Sequence, residues 1–260
     1  MEIITYYKKI ENVSVVEVEP DTFNNNLPLI IFLHEFGCQK DTHLDEAKQI
    51  AKNGYRVLLP DAVFHGDHAL AELENSNPLK KMEKIDSIYC QTAENIYKIL
   101  MAEQLVRKNK GYGVGLLGIS MGGCSVLHHI VDRKHPFVKA AVVIIASPYW
   151  ANHLRQAANE LPELREFLSE QLINHVSKIE PAHFIKNVKD LPLMFQNGLS
   201  DKLVPIEDVR RGFKEYKANY KLKNRLELIE FENVGHECLP EMIDNAINWF
   251  NVHLASKSMP

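Results

Sequence analysis

Ser120 stands inside Gly118-Ile119-Ser120-Met121-Gly122, between the apolar run "GVGLLGI" (113–119) and a helical stretch over 121–134. A hydroxyl becomes a useful nucleophile when a base removes its proton, and a histidine oriented by a carboxylate is the usual base. The G-x-S-x-G spacing suits such a role. A strand-to-helix turn tight enough to expose the serine leaves no room for side chains at 118 and 122. Ser120 is expected in a strained conformation, with the helix N-terminus behind it. A phosphate-binding turn is the alternative reading. However, the chain lacks the Gly-Lys-Ser/Thr of a P-loop here, and "GYGVGLLG" imitates G-x-G-x-x-G only loosely.

Where this turn occurs, the carboxylate and the histidine follow the serine in that order. Asp201 lies in "NGLSDKLVP", just after the strand candidate 191–196, and His236 lies in "NVGHECLP", just after the strand candidate 226–231. Both thus fall at C-terminal strand ends, on the edge where open α/β sheets bind ligands. Asp61 also ends a strand but precedes the serine, and Asp208 falls inside a helical stretch. His128 and His129 lie two turns along the helix leaving Ser120 and should point away from the mouth; as neighbours on a helix they diverge by ~100°. "HEFGC" (34–38) invites a zinc reading, with Cys38 in place of the second histidine of His-Glu-x-x-His. That motif needs a helix, whereas this stretch ends a strand. His65 and His68 share an i,i+3 spacing but have no third ligand in view, so no metal and no other cofactor is expected.

The elements that must hold these residues alternate regularly. Strand candidates at 3–7 and 13–18 form an antiparallel entry ribbon, and "DTFNNN" (21–26) marks a turn. Strands then follow at 28–33, 55–60, 113–119, 139–146, 191–196 and 226–231. Helices fall between them at about 43–53, 85–107, 121–134, 206–219 and 240–254, with a loop from Asp61 to Pro78. The stripe Ile85, Ile88, Tyr89, Thr92, Ile96, Ile99 and Leu100 reads as core packing. Continuous apolar strands separated by helices predict an α/β fold, a mostly parallel eight-stranded sheet covered on both faces. A helical insert at about 148–188 interrupts the alternation and is a candidate lid. It carries Tyr149, Trp150, Leu154, Leu161, Leu164, Phe167 and Leu168.

At 260 residues and 45% hydrophobic content, one large domain over 1–260 is the expected organisation. The net charge of −4 argues against a nucleic-acid surface. No apolar run reaches the roughly 18 residues that span a membrane. The start "MEIITYYKKI" lacks the basic and apolar segments of a secretory signal. Cysteines 38, 90, 124 and 238 form no CxxC pair, so reduced thiols and a cytoplasmic location are expected. Cys124 reads as buried packing, and Cys38 as reactive if exposed. Nothing here decides between a monomer and a homo-oligomer.

Four segments, "FLHEFGCQKD", "LLPDAVFHGDH", "GISMGG", and "NGLSDKLVP" with "VGHE", make the chain from residue 28 onward resemble the α/β-hydrolase superfamily. Within it, "PDAVFHG" and the His-x-Phe-x-x-x-Lys spacing resemble small bacterial esterases of the dienelactone-hydrolase and prolyl-oligopeptidase-like branch. Dienelactone hydrolases use cysteine as nucleophile where this chain has Ser120. The resemblance implies a nucleophile elbow at Ser120, a Ser120–Asp201–His236 triad, and an oxyanion hole formed by the backbone amides of Phe36 and Met121. It implies a serine carboxylesterase acting on short- to medium-chain esters through an acyl-enzyme, with a small-molecule ester as partner. A thioesterase or small-peptide hydrolase with the same triad, and a non-catalytic binding homologue, stay open. Candidates for lining the site are His34 and Glu35 in the oxyanion loop, His65 after strand 55–60, and Tyr149 and Trp150 at the start of the insert. Glycine is the family's residue at position 35, so the Glu35 side chain is expected to turn aside, toward solvent or Lys40.

Overall fold

Alternate residues along the central strands face opposite sides of the sheet, and this period of two divides the core in half. Leu29, Ile31 and Leu33 face one apolar cluster, whereas Ile30 and Phe32 face the other. The computed structural model describes residues 2–21, 27–74, 77–107, 113–132 and 137–254, without the side chains of residues 72, 74 and 104–107. Most of the expected turn at 21–26 lies outside them, as do the last two residues of the expected helix at 121–134.

The strands are β1 (Ile3–Ile10), β2 (Val13–Pro20), β3 (Leu29–Leu33), β4 (Arg56–Pro60), β5 (Val114–Ile119), β6 (Val138–Ile144), β7 (Leu193–Gly198) and β8 (Leu226–Phe231). They form one sheet in the order β1-β2-β4-β3-β5-β6-β7-β8. The β1–β2 and β2–β4 pairs are antiparallel, and the rest of the sheet is parallel. The expected α/β architecture is therefore present. β7 begins two residues later than the apolar pattern suggests, after Pro192, which has no amide hydrogen to give the ladder.

Helices α1 (Leu44–Lys52), α2 (Ala71–Glu74), α3 (Ile85–Arg107), α4 (Met121–Asp132), α5 (Trp150–Glu160), α6 (Glu170–Ile179), α7 (Ile206–Asn219) and α8 (Pro240–His253) complete the chain. α1 and α8 cover one face, and α3 to α7 contribute to the core on the other. The segment from Asp61 to Pro78, expected as loop, contains a short 3₁₀ turn (Gly66–His68) and α2.

The 148–188 insert folds as α5, α6 and two 3₁₀ turns, and it is tied to the body by side chains. Asn152 donates to Asp208 (2.6 Å) and Asn187 donates to the Val131 carbonyl (2.8 Å), while within the insert Glu180 accepts from the Ala151 amide (3.0 Å). Within the body, Arg56 is buried between Glu17 and Glu103 and bonds to both, joining β4, β2 and α3. Among the described residues no helix is long and apolar enough to cross a membrane.

Candidate active site

The turn after β5 is built from absences of side chain. A Cβ on Gly118 would stand 2.4 Å from the Gly122 carbonyl oxygen, and one on Gly122 would stand 2.5 Å from the Leu33 carbonyl oxygen. Both distances are impossible for real atoms, so the α4 N-terminus can press against β3 and β5 only with glycine at these positions. Ser120, squeezed between them, takes φ +49°, a left-handed conformation that costs a non-glycine residue about 1–2 kcal/mol. The fold holds this strain through the Ser120 amide, which donates to the Ile144 carbonyl (2.9 Å), and through the first bond of α4 (2.9 Å).

β7 and β8 deliver two more groups to the same edge. The turn after β7 docks on the turn after β8, with Ser200 donating to the Val234 carbonyl (2.9 Å). A Cβ on Gly198 would meet that carbonyl oxygen at 2.2 Å, so glycine is what allows the two turns to touch. Asp201 Oδ1 accepts from the amides of Leu203 and Val204, both at 2.9 Å. Its Oδ2 lies 2.8 Å from His236 Nδ1, and His236 Nε2 lies 2.9 Å from Ser120 Oγ. The three groups thus form one continuous chain of hydrogen bonds, although 116 residues separate the serine from the histidine. The Asp201 side chain is sealed from solvent while His236 is partly open.

The loop after β3 closes the other side of the mouth. Among the described residues the backbone amides of Phe36 and Met121 donate to no backbone or side-chain acceptor, so both remain available to a ligand. Glu35 does not turn to solvent or to Lys40. Its carboxylate bonds to His43 Nε2 at 2.6 Å, and the residue forms part of the cavity wall. Burial alone would raise the Glu35 pKa, but the hydrogen bond and charge of His43 outweigh it and lower the value to about 2. The loop's left-handed residue is Gly37 (φ +81°), two positions later, so Glu35 needs no strained backbone. Lys40 is committed elsewhere. Its amide and its ammonium both bond to the wholly buried Asp61, each at 2.8 Å. Asp61 also accepts from the Asp67 amide (2.9 Å), and so brackets the loops after β3 and β4.

A cavity of about 250 Å³ opens beside Ser120 and His236. Leu79, Met82, Leu154, Leu161, Leu164 and Leu203 make it strongly apolar, and three of these come from the insert. Four of the five candidates for lining residues stand behind this wall, Glu35 being the exception. His34 accepts from the Ala62 amide through Nε2 (3.0 Å) and donates to its neighbour's carbonyl (2.8 Å), so it splices two loops. His65 packs edge-on against the Phe36 ring (5.3 Å), and burial lowers its pKa to about 4. Tyr149 donates to Glu215 (2.6 Å), and Trp150 is a fully buried partner of Tyr89 (4.6 Å). These aromatics sit on the inner faces of their elements, where packing takes precedence over access.

Tyr89 and Ile85 belong to the core stripe of α3 and also reach the cavity, so that stripe is not purely packing. His153 on α5 lines the cavity as well, at a position that no motif in the chain marks. The available signal was its place on the apolar stripe Trp150–His153–Leu154–Ala157, where a polar residue is out of character. Cys38 is half-buried, and burial beside the Glu35 carboxylate pushes its thiol up to about 11, so it is no ready nucleophile. Among the described residues no three His, Cys, Asp or Glu side chains converge as a metal site.

The chain has recognisable relatives. The chain is 25% identical to the proposed esterase YitV of Bacillus subtilis over 247 residues, covering 91% of this chain and 93% of the relative. It is 24% identical to the esterase YjfP of Escherichia coli over 234 residues, covering 88% and 90%. The crystal structure of TT1662 from Thermus thermophilus superposes with a TM-score of 0.76 at 18% identity, covering 99% of this chain and all of that one. Residues 13–240, from β2 to the start of α8, match the dienelactone hydrolase family. This chain therefore belongs to the dienelactone hydrolase family, and it is a hydrolase.

Proposed function

We propose that the protein is a serine carboxylesterase that cleaves short- to medium-chain esters through an acyl-enzyme. The observation that carries this reading is the unbroken bond chain Ser120–His236–Asp201 opening on an apolar cavity. His236 Nε2 takes the Ser120 proton as Oγ attacks the ester carbonyl, and Asp201 steadies the imidazolium through Nδ1. The developing oxyanion is held by the amides of Phe36 and Met121, with the α4 N-terminus behind Met121. The alcohol leaves with the proton from His236. Water activated by the same histidine then releases the acid.

The cavity's size supports the chain-length preference. At ~30 Å³ per water-sized atom group, about 250 Å³ holds on the order of eight such groups. The insert residues Leu154, Leu161 and Leu164 act as the lid in this reading. The relatives YitV and YjfP, by their esterase descriptions, support the ester over other acyl bonds. The unpaired state of all four cysteines supports a cytoplasmic setting.

Ser120→Ala decides the matter. Turnover of p-nitrophenyl butyrate should fall by about 10⁴- to 10⁶-fold, and labelling by a fluorophosphonate should vanish. Unchanged turnover overturns the assignment. A faster reaction with a thioester or a small peptide than with any ester in a matched panel would move the protein to those substrates.

A further inference from the structure

A carboxylate stands in the residue next to the Phe36 amide, and the reaction scheme gives it no task. Glu35 is nonetheless held at both of its ends. Its carboxylate bonds to His43 Nε2 (2.6 Å) and to the Cys38 thiol. Its carbonyl oxygen lies 2.8 Å from His34 Nδ1 and accepts from the Cys38 amide (3.3 Å). Because His34 Nε2 accepts from the Ala62 amide (3.0 Å), that ring carries its proton on Nδ1 and donates it to the Glu35 carbonyl. A peptide group is planar, so the Glu35 carbonyl and the Phe36 N–H turn together and point in opposite directions. Bonds to the carbonyl and side chain of Glu35 therefore set the direction of the Phe36 amide without spending its hydrogen.

His43 is a firm post for this tether. It precedes α1, where its carbonyl accepts from the Ala47 amide (3.0 Å), and its ring stacks on Phe32 of β3 with centroids 5.2 Å apart. Glu46 stands 3.6 Å from its other ring nitrogen. Burial pulls the His43 pKa down, but the bonds and charges of Glu35 and Glu46 outweigh it and raise the value. An imidazolium thus faces the Glu35 carboxylate and cancels its charge. Left bare, that charge would oppose the one developing on the substrate oxygen beside Phe36.

Building on the esterase reading, we propose that Glu35 and His43 act together as positioning residues for the oxyanion hole. Glu35 tethers the peptide that carries the Phe36 amide, and His43 anchors the tether and cancels its charge. Both act through Phe36, and neither exchanges a proton with the substrate.

The test follows turnover of p-nitrophenyl butyrate and inhibition by a butyl trifluoromethyl ketone. Ser120 Oγ adds to the ketone carbon, its proton passes to His236, and the carbonyl electron pair settles on oxygen, so the adduct presents an oxyanion to the same two amides. Acylation and deacylation both pass through an oxyanion, and kcat reads the hole whichever step is slower. In His43→Leu, kcat should fall by about thirtyfold with KM within about threefold of wild type, a fraction of the loss on deleting an oxyanion donor outright. The ketone should bind more weakly by the same factor. His43→Gln, which still donates to Glu35, should recover much of the loss. Adding Glu35→Gln to His43→Leu should raise kcat above that of His43→Leu alone, because the bare charge is gone, and the two changes should be non-additive.

A folded His43→Leu enzyme with kcat within about twofold of wild type, a loss confined to KM, or a ketone affinity that does not follow kcat would each overturn the inference. So would a double variant slower than His43→Leu. If His43→Leu fails to fold, Glu35→Ala takes its place at a partly exposed position. Its kcat and ketone affinity should then fall together by about tenfold, and unchanged ketone affinity overturns the inference. Ester turnover that ignores both residues leaves the esterase reading standing. Wild-type protein that neither cleaves an ester nor takes a fluorophosphonate label sinks both.

Discussion

Asp201 and His236 arrive on short turns that satisfy their own bonds, whereas Phe36 sits in a ten-residue irregular stretch (34–43) braced from outside. The turns after β7 and β8 lock each other through backbone bonds, and Asp201 spends one oxygen on two amides and the other on His236. The β3 loop is held by Asp61 gripping Lys40, by His34 reaching the Ala62 amide, and by Glu35 pairing with His43. The difference follows from what each part must offer. A carboxylate has spare lone pairs and can be anchored by its own bonds while still serving the histidine. A backbone amide has one hydrogen, and in the proposed mechanism the Phe36 amide must keep it unspent for the oxyanion. Such a loop cannot fasten itself at its working atom, so buried charges beneath it do the fastening.

This contrast can be broken experimentally, and the largest effect belongs to the self-anchored side. Asp201→Asn preserves shape and much of the amide contact but removes the charge that steadies His236. Its kcat should fall by about 10⁴-fold with the thermal midpoint close to wild type. A loss under tenfold would mean that Asp201 only organises its turn.

On the braced side the leading effect should be on stability. Asp61→Asn leaves the Lys40 ammonium buried with only the partly exposed Asp67 beside it, at 3.1 Å. Denaturant unfolding should register a loss of about 3 kcal/mol. Adding Lys40→Met should recover part of it, because the orphaned charge is then gone. A loss below about 0.5 kcal/mol would show that the bracket is ornamental.

The smallest effect concerns Glu35→Gln and depends on pH. The Glu35 pKa is lowered from 4.5 to about 2, so its contribution is full above 4.5 and disappears as pH falls toward 2. The His43 pKa is raised from 6.5, against the pull of burial, by its bond to Glu35, so its contribution is full below 6.5 and fades as pH rises through the raised value. The pair therefore stabilises most between about pH 4.5 and 6.5. Glu35 is partly exposed, which limits the gain to about 1 kcal/mol. The unfolding free energy of wild type should exceed that of Glu35→Gln by more at pH 5.5 than at pH 9. An equal gap at both would dissolve the pairing.

Much of this was legible beforehand because the relevant constraints are local. Gly118, Ser120 and Gly122 lie within five residues, and their steric demands concern one turn. Asp201 and His236 each follow a strand, so chain order and strand ends suffice to name them. The partners of Glu35 and Lys40 were not legible. His43 is eight residues from Glu35 and Asp61 is 21 from Lys40, and the chain offers other charges at similar distances. The histidines are the least legible in the chain, since one residue type serves as splice, prop, charge partner and cavity wall at His34, His65, His43 and His153.

The sequence by itself determined which atoms could do the chemistry, because residue type, spacing and the period of two along strands are properties of the chain. The tertiary structure alone decided which groups meet. Whether Glu35 finds His43, whether Trp150 is buried while Leu164 lines the cavity, and whether His153 is left with an unpaired nitrogen depend on how α5 and the β3 loop settle on the sheet. Those outcomes rest on contacts between residues far apart in sequence, whose distances exist only once the core has closed.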